Sequence, residues 1–565
     1  MHGPRALVVA ASMLALAACA PAGPRPIAYG EAECDYCRMG ISDPRFGAEV
    51  VMRTGAVREF DSIECLVSYL LEGSDSAAVR SVWVADFRRP GTLVPAERAR
   101  YLRAPGGPAS PMGLGIVAVG SAADERALRS AFDGEAMDWT QVRGLVRHAR
   151  VRVAAEIPHH APDASAHGGA DEIEVAPGGP VSRIGDAVRL ARPGARILVR
   201  PGVYREPTIL VDKPVRIEGV GRPTLDGEGA RQIMTVTADD VTVRGLRFAH
   251  VGTSYMQDRA AIKVVEAANC AIVDNQIDDA FFGIYLAKVT GCRVEGNVLR
   301  ATKSTEAASG NGIHLWSSRE VLVERNRIAG HRDGIYLEFG RADVVRDNVS
   351  EDNLRYGMHF MYSDSCHYLG NTFRRNQAGV AVMYSKVVEM TGNRFESNWG
   401  SASYGLLLKE IADATVRSNQ FTRNTVGLFA DGASRIDARD NAFTDNGWAV
   451  KLLSSTYDGT FMGNDFIGNT FDVATNGRES ENAFAGNYYD TYRGYDLDRD
   501  GFGDVPHRPV RLFSMIVERN APTLILLRTL FVGMLDAAER VIPALTPETI
   551  VDRHPAMHPH TGRAA

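Results

Sequence analysis

The hydrophobic rhythm of this chain changes twice. In residues 19–150 the apolar positions first follow the two-residue period of strands over 50–60, then the helical period over 63–71, which predicts a small α+β domain. Residues 151–180 hold Ala, Gly, Pro, His and acids without an apolar period and read as a flexible linker. Past Ser182, the positions Ile184, Ala187, Val188 and Ala191 share one helical face, which predicts a capping helix.

A repeat then takes over through residues 181–490. Glycines align in Gly283-Ile-Tyr-Leu, Gly312-Ile-His-Leu, Gly334-Ile-Tyr-Leu, Gly357-Met-His-Phe, Gly379-Val-Ala-Val, Gly405-Leu-Leu-Leu and Gly427-Leu-Phe-Ala, most often 22 residues apart. Two asparagine columns interleave with them, one through Asn275, Asn297, Asn326, Asn348 and onward to Asn464, the other from Asn353 to Asn469. Period-two strands, a rung of this length and Asn stacked at left-handed turns predict a right-handed parallel β-helix of the pectin-lyase-like kind, mainly β overall. The Asn columns are therefore structural. Cys270, Cys292 and Cys366 share an inward column and read as buried thiols, although a Cys270–Cys292 bridge fits the stacking.

Alternation after each glycine sends the first and third residues inward and the second and fourth outward. The outward set includes Tyr285, His314, Trp316, Tyr336, Glu338, His359, Met361, Met383, Lys409 and Asp431. His359, Met361 and Met383 fall in one patch about one strand spacing high, and thioether plus imidazole is a donor set suited to Cu(I). Half-buried surface methionines are the plainer alternative.

Composition narrows the class. The 565 residues are 45% hydrophobic with a net charge of -6 and no basic stripe, so more than one domain is expected and nucleic acid is not a partner. Arg5 and a short apolar run end at Leu16-Ala17-Ala18-Cys19, which predicts a signal peptide over 1–18 and resembles a bacterial lipobox. That resemblance implies a periplasmic protein anchored to a membrane by lipid at Cys19.

Cys34-Asp-Tyr-Cys37-Arg-Met39 gathers two thiols and a thioether within six residues, and Cys65 and Met112 can join after folding. This is soft-metal chemistry; a zinc ribbon would need a second cysteine pair, while a Cys34–Cys37 disulfide stays open. Asp496, Asp498, Asp500 and Asp504 around Gly501 resemble half of a calcium loop without its distal Glu, so Ca2+ and a plain acidic turn are both open. Residues 491–545 also hold an apolar segment, 524–534, too short to span a membrane, which either packs on the coil end or docks on a partner. The His-bearing tail, 546–565, reads as disordered.

The cysteine motif, Phe60-Asp61-Ser-Ile-Glu-Cys65, Trp83-Val-Ala-Asp86-Phe87 and Ser110-Pro-Met112-Gly-Leu-Gly resemble the NosL copper-chaperone lipoproteins across most of residues 19–150. Tyr356-Gly-Met-His359-Phe-Met361-Tyr-Ser, Gly379-Val-Ala-Val-Met383-Tyr-Ser and Asn487-Tyr-Tyr-Asp490 resemble NosD across roughly 175–545. The resemblance implies a non-catalytic copper carrier that works with an ABC transporter on the copper centres of nitrous oxide reductase. It carries over most directly to Cys34, Cys37 and Met39. The rival is a β-helix polysaccharide lyase, epimerase or carbohydrate-binding protein, which would need grouped outward carboxylates.

Overall fold

The computed structural model describes residues 23–560, apart from 30–31, 33, 37–40, 42, 73–78, 104–109, 111–113, 133, 156–169, 254–257, 303–304, 306–308, 401, 478–479, 528 and 543–548. Cys19, Cys37, Met39 and Met112 thus lie outside the described residues. The chain divides into two compact units, residues 1–164 with 255–257, and the remainder.

The first unit is the expected α+β domain. Strands β1 (Ala48–Met52), β2 (Val57–Phe60), β3 (Val79–Ala85) and β4 (Leu93–Pro95) form an antiparallel sheet in the order β2-β1-β3-β4. A second sheet places β5 (Arg100–Arg103) between β6 (Ile116–Val119) and β7 (Glu135–Met137). Helix α1 (Ile63–Glu72) buries Ile63, Cys65, Leu66 and Val67 against Val50, Phe60 and Val146. Helices α2 (Ala122–Phe132) and α3 (Trp139–Ala155) complete the unit, so helix continues five residues into the segment expected to be linker.

The second unit is a parallel β-helix of three sheets with 12, 13 and 14 strands. Its edge strand, Ala170–Val175, pairs with Ala191–Val199, so the β-helix starts at residue 170 rather than at 181, where the sequence pattern placed it. That strand alternates Ile173 and Val175 inward with acids outward, a signal too short to stand out beside the Gly- and His-rich residues before it. Helix α4 (Ile184–Leu190) covers the open end, burying Ile184, Ala187 and Val188, while Ala191, also buried, already begins the next strand. Glu206 accepts the N–H groups of Ile184 and Gly185 at its N-terminus.

Asparagine ladders hold the rungs in register. Asn371 shows the repeating unit: its Oδ1 accepts from both the backbone N–H and the Nδ2 of Asn348, at 3.0 Å each. Its own Nδ2 donates to Asn393 Oδ1 and to the Val345 carbonyl. The Asn residues themselves are not the left-handed ones; the preceding residues are, as at Asp347, Ser418 and Asp440 with φ of 56°, 53° and 55°. The bend directs each following Asn inward, where it meets the turn amides of the neighbouring rung.

The first ladder ends at Asn487, whose N–H and Nδ2 both donate to Asp552 Oδ2 at 3.0 Å. The tail was expected to be disordered, yet Asp552 is buried, pairs with His507, and is followed by His560, which donates to Asp465. Ile550 and Val551 beside one carboxylate are too short a run for an apolar period to be detected. The second ladder starts at His331, whose N–H donates to Asn353 Oδ1 in the place of an Asn.

Cys270, Cys292 and Cys366 are buried thiols, with the Cys270 N–H donating to Cys292 Sγ at 3.2 Å. The same column contains Asp343, whose Oδ1 accepts the Val321 N–H. Burial pushes the Asp343 carboxyl up to about 7.

Two outcomes are expected. Asn419→Ala leaves the Asn393 N–H and Nδ2 and the Met390 carbonyl without their partner, and should cost about 2–4 kcal/mol in a urea unfolding titration. Asp343 binds its proton more tightly folded than unfolded, so it lowers stability as pH rises from its ordinary value near 3.8 towards 7. Asp343→Asn should therefore gain most over the parent at pH 8 and least at pH 4, read from the two unfolding midpoints.

Candidate metal-binding sites

The first candidate site forms where β2 runs into α1. Asp35 N–H donates to the Glu59 carbonyl at 2.7 Å and Asp35 Oδ2 accepts the Glu59 N–H at 2.9 Å, which lays Cys34 beside the end of β2. Ser62 caps α1 by accepting the Cys65 N–H at 3.1 Å. These two anchors bring the sulfurs of Cys34 and Cys65 and an Asp61 carboxylate oxygen within 4.8 Å of one another. Glu64, in the same helical turn, accepts from the Ser110 hydroxyl and from the Leu114 N–H. Burial raises the Glu64 carboxyl to about 7, against the pull of its hydrogen bonds.

Of the cysteine-motif residues, then, Cys34 is placed and its neighbours in space are Asp61 and Cys65. Cys65 was legible as a supplement; Asp61 was not, because one carboxylate before a helix reads as an ordinary cap.

The second candidate site lies on the outer face of the 12-stranded sheet. Two columns run side by side in strict register. One passes through Tyr285, His314, Tyr336 and His359; the other through Trp316, Glu338, Met361, Met383 and Lys409. His359 and Met361 point the same way from one strand, and Met383 is the partner of Met361 on the next. The phase is as expected, but the residues are not a surface patch: His359 is 8% exposed, Met361 6% and His314 9%, with Met383 half-buried. The repeat steps lengthen to 29 residues between Asn297 and Asn326 and to 26 between Asn393 and Asn419. Their extra residues supply Asn311, which bonds His314 Nδ1 at 3.1 Å, and Tyr404, which packs against Tyr356.

Rings continue the column. Tyr285 stacks on His314 at 4.5 Å, Tyr336 lies 4.7 Å from His314 and 5.0 Å from His359, and Tyr356 touches His359 at 4.7 Å. The Tyr336 hydroxyl faces Met361 Sδ at 3.8 Å. Burial pushes His314 down to about 3 and lowers His359 despite the opposing pull of Asp333, which favours the neutral, metal-binding form of each imidazole. Asp333 Oδ2 lies 3.9 Å from His359 Nδ1. Burial pushes the Asp333 carboxyl up, but the Arg355 guanidinium and His359 outweigh it and hold it below the usual range. Burial lifts Glu338 to about 6.

The acidic turn is the third candidate. Carboxylates of Asp496, Asp498 and Asp500 converge, whereas Asp504 accepts the Leu497 N–H instead. Asp496 already accepts from Arg499 and Gly501, and Asp500 from Phe502.

Glu338 and Asp431 are four strand steps apart, about 19 Å, beyond the spacing of about 5–9.5 Å used in glycoside hydrolysis.

A parallel β-helix thus presents an imidazole beside two thioethers, and a separate domain bears buried thiols. The family model "Periplasmic copper-binding protein (NosD)" matches residues 300–494, and the NosL model matches 27–145. The probable ABC transporter binding protein NosD of Pseudomonas aeruginosa is 30% identical over 369 residues, covering 62% of this chain and 85% of the relative. The protein of that name from Stutzerimonas stutzeri is 26% identical over 367 residues, covering 61% and 83%. The crystal structure of the copper chaperone NosL from Shewanella denitrificans aligns with a TM-score of 0.18 and 24% identity, covering 20% of this chain and 94% of that one.

The chain belongs to the NosD family, with a NosL segment joined at its N-terminal side. It is a periplasmic binding protein with a copper-related role in the nitrous oxide reductase system, not a catalyst. Among the described residues no helix is long and apolar enough to cross a membrane.

Removing Asp333 should expose how far the site depends on its ion pair. Asp333→Ala strips the Arg355 guanidinium of its partner and should destabilise the chain by about 2–3 kcal/mol in urea unfolding, with the Tyr336 and Tyr356 fluorescence changing in the folded state.

Proposed function

We propose that this protein captures Cu(I) with Cys34, Cys37, Met39 and Met112, and passes it to the His359, Met361 and Met383 face of its β-helix. From there it delivers the ion, with an ABC transporter, for assembly of the copper centres of nitrous oxide reductase. The observation that carries the reading is the register of Met361 with Met383 beside His359, an imidazole that burial shifts towards its neutral form next to two soft thioethers. Glu338 is the hard donor nearest in that column, and soft ligands outnumber it.

Joining both steps in one chain raises the effective concentration of donor for acceptor. A lipid at Cys19 would hold the protein at a membrane. The transporter contact falls to the C-terminal segment. Helix α5 (Leu512–Arg519) packs Phe513 and Val517 against Phe471, whereas helix α6 (Leu530–Val541) buries Val532 and leaves Leu530, Phe531, Met534 and Val541 exposed. Such an apolar patch suits a membrane-embedded partner. Asp496, Asp498 and Asp500 offer a calcium ion three oxygens; added Ca2+ would then raise the melting temperature, and an Asp498→Asn variant would lose the effect.

The test is an anaerobic Cu(I) titration of the full chain against a competing chelator. Cys34→Ser/Cys37→Ser and His359→Ala/Met361→Ala/Met383→Ala should each lose a different site, by about tenfold or more in affinity. Weak binding by the parent itself would end the copper-delivery reading.

A further inference from the structure

One carboxylate beside the second site has bonding capacity left over. Asp333 is fully buried and receives three N–H groups: Arg355 Nε at 2.8 Å and the Tyr356 N–H at 3.3 Å on Oδ1, and Arg355 Nη2 on Oδ2. Oδ2 therefore keeps a lone pair, and His359 Nδ1 lies 3.9 Å from it. His359 needs that acceptor, because it is buried and neither of its ring nitrogens has a hydrogen-bond partner among the described residues. The register sets the direction. Asp333 pairs with Tyr356, three residues before His359, whereas Met361 follows two residues after it and pairs with Met383. The carboxylate and the thioethers thus flank the imidazole from opposite ends of its strand. A ring with Nδ1 turned to the carboxylate presents Nε2 on the side of the thioethers.

We propose that Asp333 is a positioning residue: its Oδ2 takes the Nδ1–H of His359, which fixes the imidazole in that tautomer and leaves the Nε2 lone pair for the metal. The 3.9 Å gap exceeds a hydrogen bond, and a turn of the ring about its Cβ–Cγ bond closes it. Metal-bound imidazoles commonly donate their other N–H to a carboxylate in this way. Arg355 takes part as well. With both oxygens of Asp333 engaged by one guanidinium, the carboxylate is held as an acceptor for His359 rather than released as a hard ligand for the ion. The inference rests on the copper-delivery reading for the ion, and on the geometry around His359 for the tautomer.

The experiment labels histidine with nitrogen-15 in the full chain carrying Cys34→Ser/Cys37→Ser, so that Cu(I) goes to the β-helix. His359→Ala in the same background identifies the His359 signals. Without metal, the ring shifts should report the Nδ1–H tautomer, and Asp333→Asn, whose single oxygen stays with Arg355, should lose that preference. Cu(I) is diamagnetic, and it should move Nε2 while Nδ1 stays protonated. In titration against a competing chelator, Asp333→Asn should bind Cu(I) about tenfold or more weakly, whereas Arg355→Lys, which keeps charge and carboxylate, should stay within about threefold. Melting curves establish which variants fold; if Asp333→Asn does not, the tautomer and the nitrogen that Cu(I) moves decide. An Nε2–H tautomer without metal, a Cu(I) shift on Nδ1, parent-like affinity in folded Asp333→Asn, or an equal loss in Arg355→Lys overturns the proposal. A chain that binds no Cu(I) in the β-helix but shows the Nδ1–H tautomer ends the copper-delivery reading and leaves Asp333 as the group that orients His359.

Discussion

Every rung of the β-helix turns on the same need: a backbone N–H that bends into the interior must find an acceptor there. Asparagine answers it with one side chain that accepts twice from the rung before and donates twice, to the rung after and to a carbonyl below. Because the amides of Asn275 through Asn487 are linked in series, the register of one rung sets that of the next. The outer columns inherit that register. Met361 meets Met383, and Tyr336 sits between two imidazoles, because the interior ladder allows no slip by one residue.

The second site is then shaped by departures from regularity. Rungs of the common length would leave the outer face open to water, and exposed imidazoles would be protonated near neutral pH in part. The longer rungs bring Asn311 to His314 and Tyr404 to Tyr356, and burial shifts both His314 and His359 towards the neutral imidazole. The ion pair of Asp333 with Arg355 lies beside His359 and is held by two hydrogen bonds from one guanidinium. Register supplies the positions, and insertion supplies the environment.

Much of this was legible in the sequence because it is periodic. The rung length, the inward and outward phases, the Asn columns and the pairing of Met361 with Met383 all follow from counting. Features that occur once were harder to see. The grouping of Cys34 with Asp61 and Cys65 depends on where α1 begins and on a two-bond contact between Asp35 and Glu59, neither of which leaves a spacing signature. The burial of His359 depends on loops elsewhere in the chain, and alternation reports only the side a residue faces. Asp552 lies 65 residues from the asparagine it completes, in a stretch too short to show a hydrophobic phase.

That last residue gives the ladder a direction. Each asparagine both receives and donates, so a row of them could in principle be prolonged without limit by the edge of another molecule. A carboxylate receives from Asn487 and has no N–H to hand onward, which makes Asp552 a terminator in the grammar of the row. The same group leaves a negative charge where a stacking neighbour would have to bring its own acceptor-rich end. A fold assembled by repeated addition thus carries its own stop signal, written in one side chain, against growing into a fibre.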